Sequence, residues 1–258
     1  MNKDLVDILL RDKTTGKNII WATNDYKEFG YEAEQEINSA QVVVIRPRYE
    51  KIREHQKNRT RDKAEIFTPS KICKLQNDLI DEGLIKKNWK DYVTANVLEI
   101  TCGEAPYLVS RYDTVSGESI PLENRIGLLD RKLRVVGENI ATKEEWLIWT
   151  KKAFQSVYGY EFQGDNLFIA RKNLLLTYVE YYEERFNIYP KQDDLKGIAD
   201  IISWNLWQMD GLTNKIPYAA EVNIDLFGET QEEGNIYCKI KDWENNMEEV
   251  FKKQLSRV

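Results

Sequence analysis

The stretch VLEITCGEAPYL (residues 97–108) decides how the rest of this chain is interpreted. A short apolar strand leads into Glu99, and small or compact residues follow at once: Thr101, Cys102, Gly103 and Ala105. Small residues after a strand let the backbone approach a ligand closely, and the next helix then offers free backbone amides. We therefore expect a ligand site at the carboxyl end of this strand.

Two further strand candidates follow along the chain, within residues 156–162 (SVYGYEF) and at the end of residues 197–207 (GIADIISWNLW). Segments with a helical pattern lie between the strands, at residues 143–155 (KEEWLIWTKKAFQ) and 166–186 (NLFIARKNLLLTYVEYYEERF). Strands and helices that alternate at these intervals are typical of parallel β-α-β units, so the sequence predicts an α/β fold.

Acidic residues end the second and third strands as well. Glu161 follows the second strand, and its carboxylate can accept two hydrogen bonds from ribose hydroxyls. Asp210 follows the third strand, where it can accept a hydrogen bond from an adenine amino group. Each signal alone also fits ordinary turn chemistry. Parallel sheets bind ligands at the carboxyl ends of their strands. The order of the three signals along the chain therefore predicts a nucleoside site there.

These motifs resemble those of the DNA adenine-N6 methyltransferases, and the likeness is greatest to subunit M of restriction-modification systems. The opening stretch is similar to their first motif, residues 157–176 to the second and residues 205–212 to the third. AEIFTPSKICKLQNDLID (residues 64–81) resembles the Thr-Pro motif that precedes the sheet in that family. The resemblance covers roughly residues 64–212.

The resemblance implies a Rossmann-like methyltransferase sheet, complete or truncated, that binds S-adenosylmethionine. Residues 1–63 would then form an α+β extension, and residues 64–258 a methyltransferase-like domain with an insertion at about residues 110–150. The implied cofactor-binding residues are Phe67, Thr68 and Pro69 at the methionine end, Glu99, Cys102 and Gly103 beneath it, Glu161 at the ribose and Asp210 at the adenine.

The sequence departs from the family pattern at three places. Glu99 and Ile100 stand where the family has Asp-Pro, and Ala105 replaces its second glycine. The methyl group of Ala105 is either tolerated or narrows the cofactor pocket. The charged insertion between the first two motifs is either a flap that faces DNA or a partner, or a surface excursion without function.

The catalytic motif of the family is missing. Methyl transfer to an adenine amine uses Asp or Asn, then Pro-Pro and an aromatic residue that stacks on a base taken out of the duplex. This sequence has no Pro-Pro pair, and Asp242 with Trp243 is the polar-aromatic pair nearest the expected place. The alternative for Trp243 is packing beneath a terminal helix.

The function therefore stays open between two main alternatives. The first is an adenine-N6 DNA methyltransferase that works alone or with a second subunit. The second is a catalytically inactive module that binds S-adenosylmethionine or DNA as a regulatory or specificity subunit. A methyltransferase for RNA or a small amine is a third reading. A sheet of three or four strands also leaves an edge to be covered, which predicts a homo-oligomer or a partner subunit.

A basic stretch at residues 46–63 is the candidate DNA contact, although the whole chain carries a formal charge of −6. Its alternative is a solvated helix with internal ion pairs. The DNA-binding candidates in this stretch are Arg46, Arg48, Lys57, Arg59 and Arg61.

Composition excludes several other classes of function. A single histidine, His55, argues against a Ser-His-Asp site or a multi-histidine metal site. The three cysteines stand far apart without a C-x-x-C pair, which favours a reducing compartment and no metal. No apolar run is long enough to cross a bilayer, and the amino terminus does not have the pattern of a signal peptide. We expect a cytoplasmic protein.

Four local predictions concern the remaining segments. NIIWA (residues 18–22) and QVVVI (residues 41–45) are predicted as short strands or buried contacts. Ser70 is predicted to cap a helix whose apolar positions recur at helical spacing and should pack on the protein; they are Ile72, Leu75, Leu79 and Ile80. NIYCKIKDW (residues 235–243) is predicted to contain a strand, followed by a charged helix to residue 258.

Overall fold

A three-stranded parallel sheet organises the chain, which the computed structural model describes at residues 1–51, 68–219 and 236–251. The strands are β1 (Val97–Glu99), β2 (Val157–Glu161) and β3 (Leu206–Gln208), in the order β1-β2-β3. Glu99 lies opposite Gly159 on β2, and Glu161 lies opposite Gln208 on β3. The predicted α/β class is confirmed.

Helices connect and cover these strands. The described helices are α1 (Lys3–Leu10), α2 (Ser70–Leu84), α3 (Trp89–Thr94), α4 (Leu128–Asn139), α5 (Lys143–Gln155), α6 (Gly164–Phe186) and α7 (Gln192–Asn205). Four short 3-10 segments, Lys27–Phe29, Gln41–Val44, Arg48–Glu50 and Leu122–Asn124, lie in the connections. An antiparallel hairpin of β4 (Lys239–Asp242) and β5 (Met247–Val250) follows.

Local sequence explains why several elements begin where they do. Thr142 precedes α5, and its Oγ1 accepts a hydrogen bond from the backbone N–H of Glu145 at 3.3 Å. The side chains of the two residues also lie within hydrogen-bond distance of each other, as in a capping box. α6 ends at Asn187, whose left-handed conformation is a common helix stop. α7 runs directly into β3, as the sequence predicts.

The two faces of the sheet are covered differently. Val157, Gly159 and Glu161 on β2 are buried, whereas Tyr158 and Tyr160, which alternate with them, are only half-buried. The hairpin side packs on this second face through Phe251 of the segment after β5, which contacts Trp207 of β3 at a ring distance of 5.1 Å. The second face is therefore closed by aromatic side chains of a short hairpin rather than by a long helix.

The amino-terminal residues share the main hydrophobic core with the sheet. Leu9, Trp21 and Ile37 belong to the same buried cluster as the residues of α6. Arg171 on α6 is fully buried, and its guanidinium donates to the carbonyl oxygens of Leu9, Arg11, Ser203 and Leu206. These bonds satisfy carbonyls at the carboxyl ends of α1 and α7, where a cation is favourable, and tie both helices to β3.

Several local predictions differ from the structure. Residues 41–44 form a 3-10 helix and not a strand. Residues 18–22 make an isolated bridge and backbone hydrogen bonds to residues 33–37, and their Ile19 and Trp21 are buried, so the alternative of buried contacts holds. The Ser70 cap is wrong, since α2 already begins at Ser70 and no side chain caps it. A strand, β5, occupies residues 247–250 of the predicted terminal helix, and residues 252–258 lie outside the described part.

The predicted packing of α2 was also wrong. All four predicted packing positions are exposed, because the helix packs through Cys73 and Asn77 instead; they are Ile72, Leu75, Leu79 and Ile80. The insertion is not a surface excursion throughout. It contains α4, whose Leu129, Leu133 and Val136 are buried in the main core. None of the described helices has the length and apolar character needed to cross a membrane.

Candidate functional site

A cavity of about 730 Å³ opens at the carboxyl ends of β1 and β2. Five of the predicted cofactor residues line it, and they come from the segment before α2, from the loop after β1 and from the end of β2: Thr68, Glu99, Cys102, Gly103 and Glu161. Pro69 follows Thr68 but is not in the lining, and Phe67 lies outside the described residues. The structure thus brings together residues that are separated by almost a hundred positions.

Glu161 holds the loop that follows β1. The backbone N–H of Gly103 donates to Glu161 Oε2 at 2.8 Å, and the N–H of Gln163 donates to Oε1 at 3.1 Å. Gly103 has a φ of +54°, the left-handed region that glycine adopts at no steric cost. Glycine at this position therefore lets the loop turn so that its amide reaches the carboxylate on the neighbouring strand.

Glycine on β2 has a packing reason as well. A Cβ added at Gly159 would lie 3.3 Å from Cβ and Sγ of Cys102. The Cys102 N–H donates to the carbonyl oxygen of Tyr160 at 2.8 Å, which continues the pairing of β1 and β2 into the loop. The small residues of the loop and of β2 allow this close approach.

Glu99 forms the buried floor of the cavity. Its carboxylate accepts hydrogen bonds from the backbone N–H groups of Tyr107 at 3.4 Å and Leu108 at 3.2 Å. Burial raises the pKa of Glu99 to about 8, the two backbone bonds oppose this shift, and the charge of Glu161 adds to it. Near neutral pH the Glu99 carboxyl can therefore gain or lose a proton when a charged ligand binds.

The loop after β1 also carries two non-glycine residues with positive φ. Thr101 has a φ of +46° and Ala105 a φ of +61°. Such conformations cost free energy and cluster at functional sites. The methyl group of Ala105 is fully buried in the main core and does not line the cavity, so it does not narrow the pocket.

Asp210 lies beyond the lining of this cavity. Its Oδ1 accepts from the Leu212 N–H at 2.8 Å, and its own N–H donates to the Lys215 carbonyl at 2.8 Å. The chain just before it runs beside the second strand, because the Met209 N–H donates to the carbonyl oxygen of Glu161 at 3.0 Å. Asp210 thus follows the strand end as predicted, while its side chain serves a turn.

The cavity also contains residues that the sequence reasoning missed. Gln163 and Asn166 line it immediately after Glu161, and their position just beyond a strand end was the available signal. Asn77 lies in α2, and its Nδ2 donates to the carbonyls of Tyr107 at 2.9 Å and Ile126 at 3.0 Å. Two adjacent amides, Gln76 and Asn77, within the helical pattern are the trace of this contact in the sequence.

The predicted DNA-binding stretch is anchored beside the cavity. The backbone N–H of Arg48 donates to the buried Glu104, and Lys51 pairs with the buried Asp165 at 3.0 Å. Arg46 is exposed and donates to the Val43 carbonyl at 2.8 Å. The other three candidates of this stretch, Lys57, Arg59 and Arg61, lie outside the described residues.

Asp242 and Trp243 lie away from the cavity. Asp242 accepts from the backbone N–H groups of Glu244 and Asn245 and from the Asn245 side chain, so its carboxylate serves the hairpin turn. Trp243 Nε1 donates to Asn205 Oδ1 at 2.7 Å, at the end of α7. Both line a second groove of about 620 Å³ beside β1.

Within the described ranges, no group of three or more His, Cys, Asp or Glu side chains is arranged to hold a metal ion. Comparison with protein-family models, with curated proteins and with solved structures found no match for this chain. The geometry of the cavity and its surroundings is therefore the basis for assigning a function.

Proposed function

We propose that the chain binds S-adenosylmethionine in the strand-end cavity on a Rossmann-like methyltransferase sheet. The observation that carries this proposal is the charge of the lining. Glu161 contributes a carboxylate, Glu99, whose pKa is about 8, can ionise when a cation binds, and no Lys, Arg or His occurs among the lining residues that the structure describes. An acidic cavity without a counter-cation favours a positively charged ligand that also donates hydrogen bonds, as an adenosyl sulfonium with an ammonium group does.

The same lining argues against a phosphate-bearing nucleotide cofactor. Dinucleotide sites bind a pyrophosphate through free amides of the loop after the first strand. Here the Gly103 amide already donates to Glu161, and the Glu161 carboxylate would face the phosphate charge with no lining cation described to offset it. A ligand with ribose hydroxyls and a cationic sulfur needs no free Gly103 amide and is attracted by the negative charge of the lining.

The acceptor substrate that we propose is an adenine amine of DNA, within a restriction-modification system. The order of the motifs supports this, together with a basic segment that is anchored next to the cavity. Catalysis then needs a second subunit, because the Asp242 carboxylate is engaged in the hairpin turn and does not line the cavity. The same observation favours the alternative, an inactive module that binds the cofactor or DNA.

Titration calorimetry on the whole chain tests cofactor binding, with NAD⁺ as the phosphate-bearing comparison. S-adenosylmethionine should bind and NAD⁺ should not. Glu161→Gln should weaken binding about tenfold or more, because a hydrogen bond to a charged group is lost. Glu248→Gln, an exposed glutamate on β5, is the matched control and should bind like the wild type. Tight binding of NAD⁺, or equal affinities for the two variants, would contradict the assignment.

Transfer of a labelled methyl group to duplex DNA separates the two alternatives. An enzyme should incorporate label when the product of a neighbouring gene is added. Cofactor binding without incorporation under either condition identifies the inactive module. Incorporation by this chain alone would contradict the need for a second subunit.

A further inference from the structure

A further groove, of about 500 Å³, lies near the loop that follows β1. Its walls are the segment of residues 42–50, the loop of residues 111–119 and the side of α6 that carries Phe168, Lys172 and Asn173. Tyr49 and Tyr112 contact each other between the first two walls at a ring distance of 5.2 Å. Gly117 fits there because an added Cβ would lie 2.4 Å from the Tyr49 ring. The contacts among Tyr49, Tyr112 and Gly117 therefore fix the positions of the first two walls.

The groove is positive in a protein that is negative overall. Arg46, Arg111 and Lys172 line it, and Glu50 is the one carboxylate among its described lining residues. The whole chain carries a formal charge of −6. Charge of the opposite sign to the rest of the chain, gathered in a concave surface, attracts an anion.

The three cations differ in how they are held. Arg111 donates to Glu180 at 2.6 and 3.1 Å, so its position is fixed at the groove wall. Arg46 donates to the Val43 carbonyl at 2.8 Å, and its 3.8 Å contact with Glu50 joins exposed groups and costs little to exchange. Lys172 is exposed on α6 and makes no hydrogen bond or ion pair with any residue that the structure describes. Its charge is therefore available to an outside partner.

We propose that this groove binds the phosphate backbone of duplex DNA, with Lys172 and Arg46 as its phosphate contacts. The proposal rests on the DNA substrate of the proposed function and adds Lys172 to the contacts. Lysines that neutralise phosphates release counterions, which makes affinity fall with salt, and they carry no sequence information. The groove then orients the duplex, while recognition of the base belongs to another part of the complex.

Fluorescence anisotropy with a labelled duplex of mixed sequence, measured over a range of salt concentrations, tests this inference. Lys172→Gln should weaken binding several-fold at low salt and reduce the slope of log affinity against log salt by about 1. Lys151→Gln is the matched control, because Lys151 is an exposed lysine on α5 that does not line the groove. Arg46→Gln tests the opposite wall in the same way.

Equal binding by Lys172→Gln, Lys151→Gln and the wild type would overturn the assignment of the groove. The assignment is supported if the Lys172 and Arg46 variants lose affinity for DNA and the Lys151 variant does not. This holds even if calorimetry finds no binding of S-adenosylmethionine. Failure of the cofactor assignment and failure of the groove are therefore distinguishable. A variant that lowers the thermal unfolding midpoint is replaced by Lys172→Met, which keeps the apolar stem of the side chain.

Discussion

The backbone N–H of Arg48 donates to Glu104 Oε1 over 2.7 Å, and Glu104 is the residue next to Gly103 in the loop after β1. The other carboxylate oxygen, Oε2, accepts from the Tyr112 hydroxyl at 2.6 Å. One buried glutamate therefore fastens the basic segment and the groove wall to the loop that lines the cavity. Glu104 lines neither of the two proposed binding sites, but it connects them, and their linings have no residue in common.

This connection predicts that DNA and cofactor bind cooperatively. A ligand in the groove that orders residues 46–50 also orders the Gly103 loop, so each ligand should raise the affinity for the other by the same factor. In Glu104→Gln the amide cannot accept from both donors, so that factor should fall towards one. Calorimetric titration of S-adenosylmethionine with and without duplex DNA measures it.

Glu118→Gln is the control for this coupling, because Glu118 is an exposed glutamate in the loop that forms one wall of the groove. Tyr112→Phe is a second, milder test, since it removes only the hydroxyl that donates to Glu104. A coupling factor that stays at its wild-type value in both the Glu104 and the Tyr112 variant would show that this residue does not link the sites.

The sequence predicted the elements that depend on local pattern. Strand candidates that end in Glu99 and Glu161 became β1 and β2, and the helix predicted at residues 143–155 coincides with α5. These elements are specified by periodicity and by neighbouring small residues, which a single sequence displays. The clustering of Glu99, Gly103 and Glu161 also follows from topology, because adjacent parallel strands end at the same edge.

Tertiary contacts account for what the sequence did not reveal. α2 has an apolar stripe at helical spacing, yet it packs through Cys73 and the amide of Asn77, and the stripe is exposed. The sequence around Glu104 does not distinguish it from a solvated loop residue. The fold brings Arg48 and Tyr112 to it. Such pairings join residues far apart in the chain, and no local period encodes them.

The raised pKa of Glu99 predicts a specific dependence of stability on pH. The carboxyl has a pKa of about 8 in the folded chain against an ordinary value of 4.5, so it binds a proton more tightly when folded. Its contribution to stability is fully present below pH 4.5 and is lost as pH rises through 8. Relative to Glu99→Gln, the wild type should therefore lose free energy of unfolding between pH 5 and 8.

Urea unfolding of both proteins over this pH range measures the difference. Subtracting the Glu99→Gln curve removes the titration of other buried groups, such as Lys132, whose pKa burial lowers to about 7. A difference between the two proteins that does not vary with pH would contradict the shifted pKa.

Replacing Thr101 by glycine should stabilise the folded chain and weaken cofactor binding. It is β-branched, exposed and left-handed, with a φ of +46°, and this conformation costs a non-glycine residue about 1–2 kcal/mol. Thr101→Gly removes that strain but gives the unfolded chain more freedom, so we expect a net stabilisation of about 0.5–1 kcal/mol. Asn187→Gly is the control, because asparagine at a helix end already tolerates the left-handed conformation.

Chemical unfolding of the two glycine variants tests this strain. The Asn187 variant should stay within about 0.5 kcal/mol of the wild type. If the Thr101 variant is instead destabilised, the hydrogen bond that the Thr101 hydroxyl donates to the Ile100 carbonyl at 2.8 Å offsets the strain. Cofactor affinity of the Thr101 variant should fall, because a more flexible loop must be ordered when the ligand binds.

The open side of β1 predicts self-association. β1 pairs only with β2 among the described strands, and the apolar side chains of Leu98 and Ile100 beside this edge are 42% and 64% exposed. An unpaired edge flanked by exposed apolar residues is a template for another strand, so we expect two copies of the chain to associate there. Ile100→Asp should shift the chain towards monomer, because a carboxylate would have to be desolvated in the interface.

Size-exclusion chromatography with light scattering, over a range of protein concentrations, measures this association. Ile188→Asp provides the comparison, because Ile188 is 54% exposed just beyond the end of α6 and away from β1. That variant should associate like the wild type. A wild-type chain that stays monomeric at every concentration would refute pairing between two copies at β1. Equal association of the Ile100 and Ile188 variants would place the contact elsewhere on the surface.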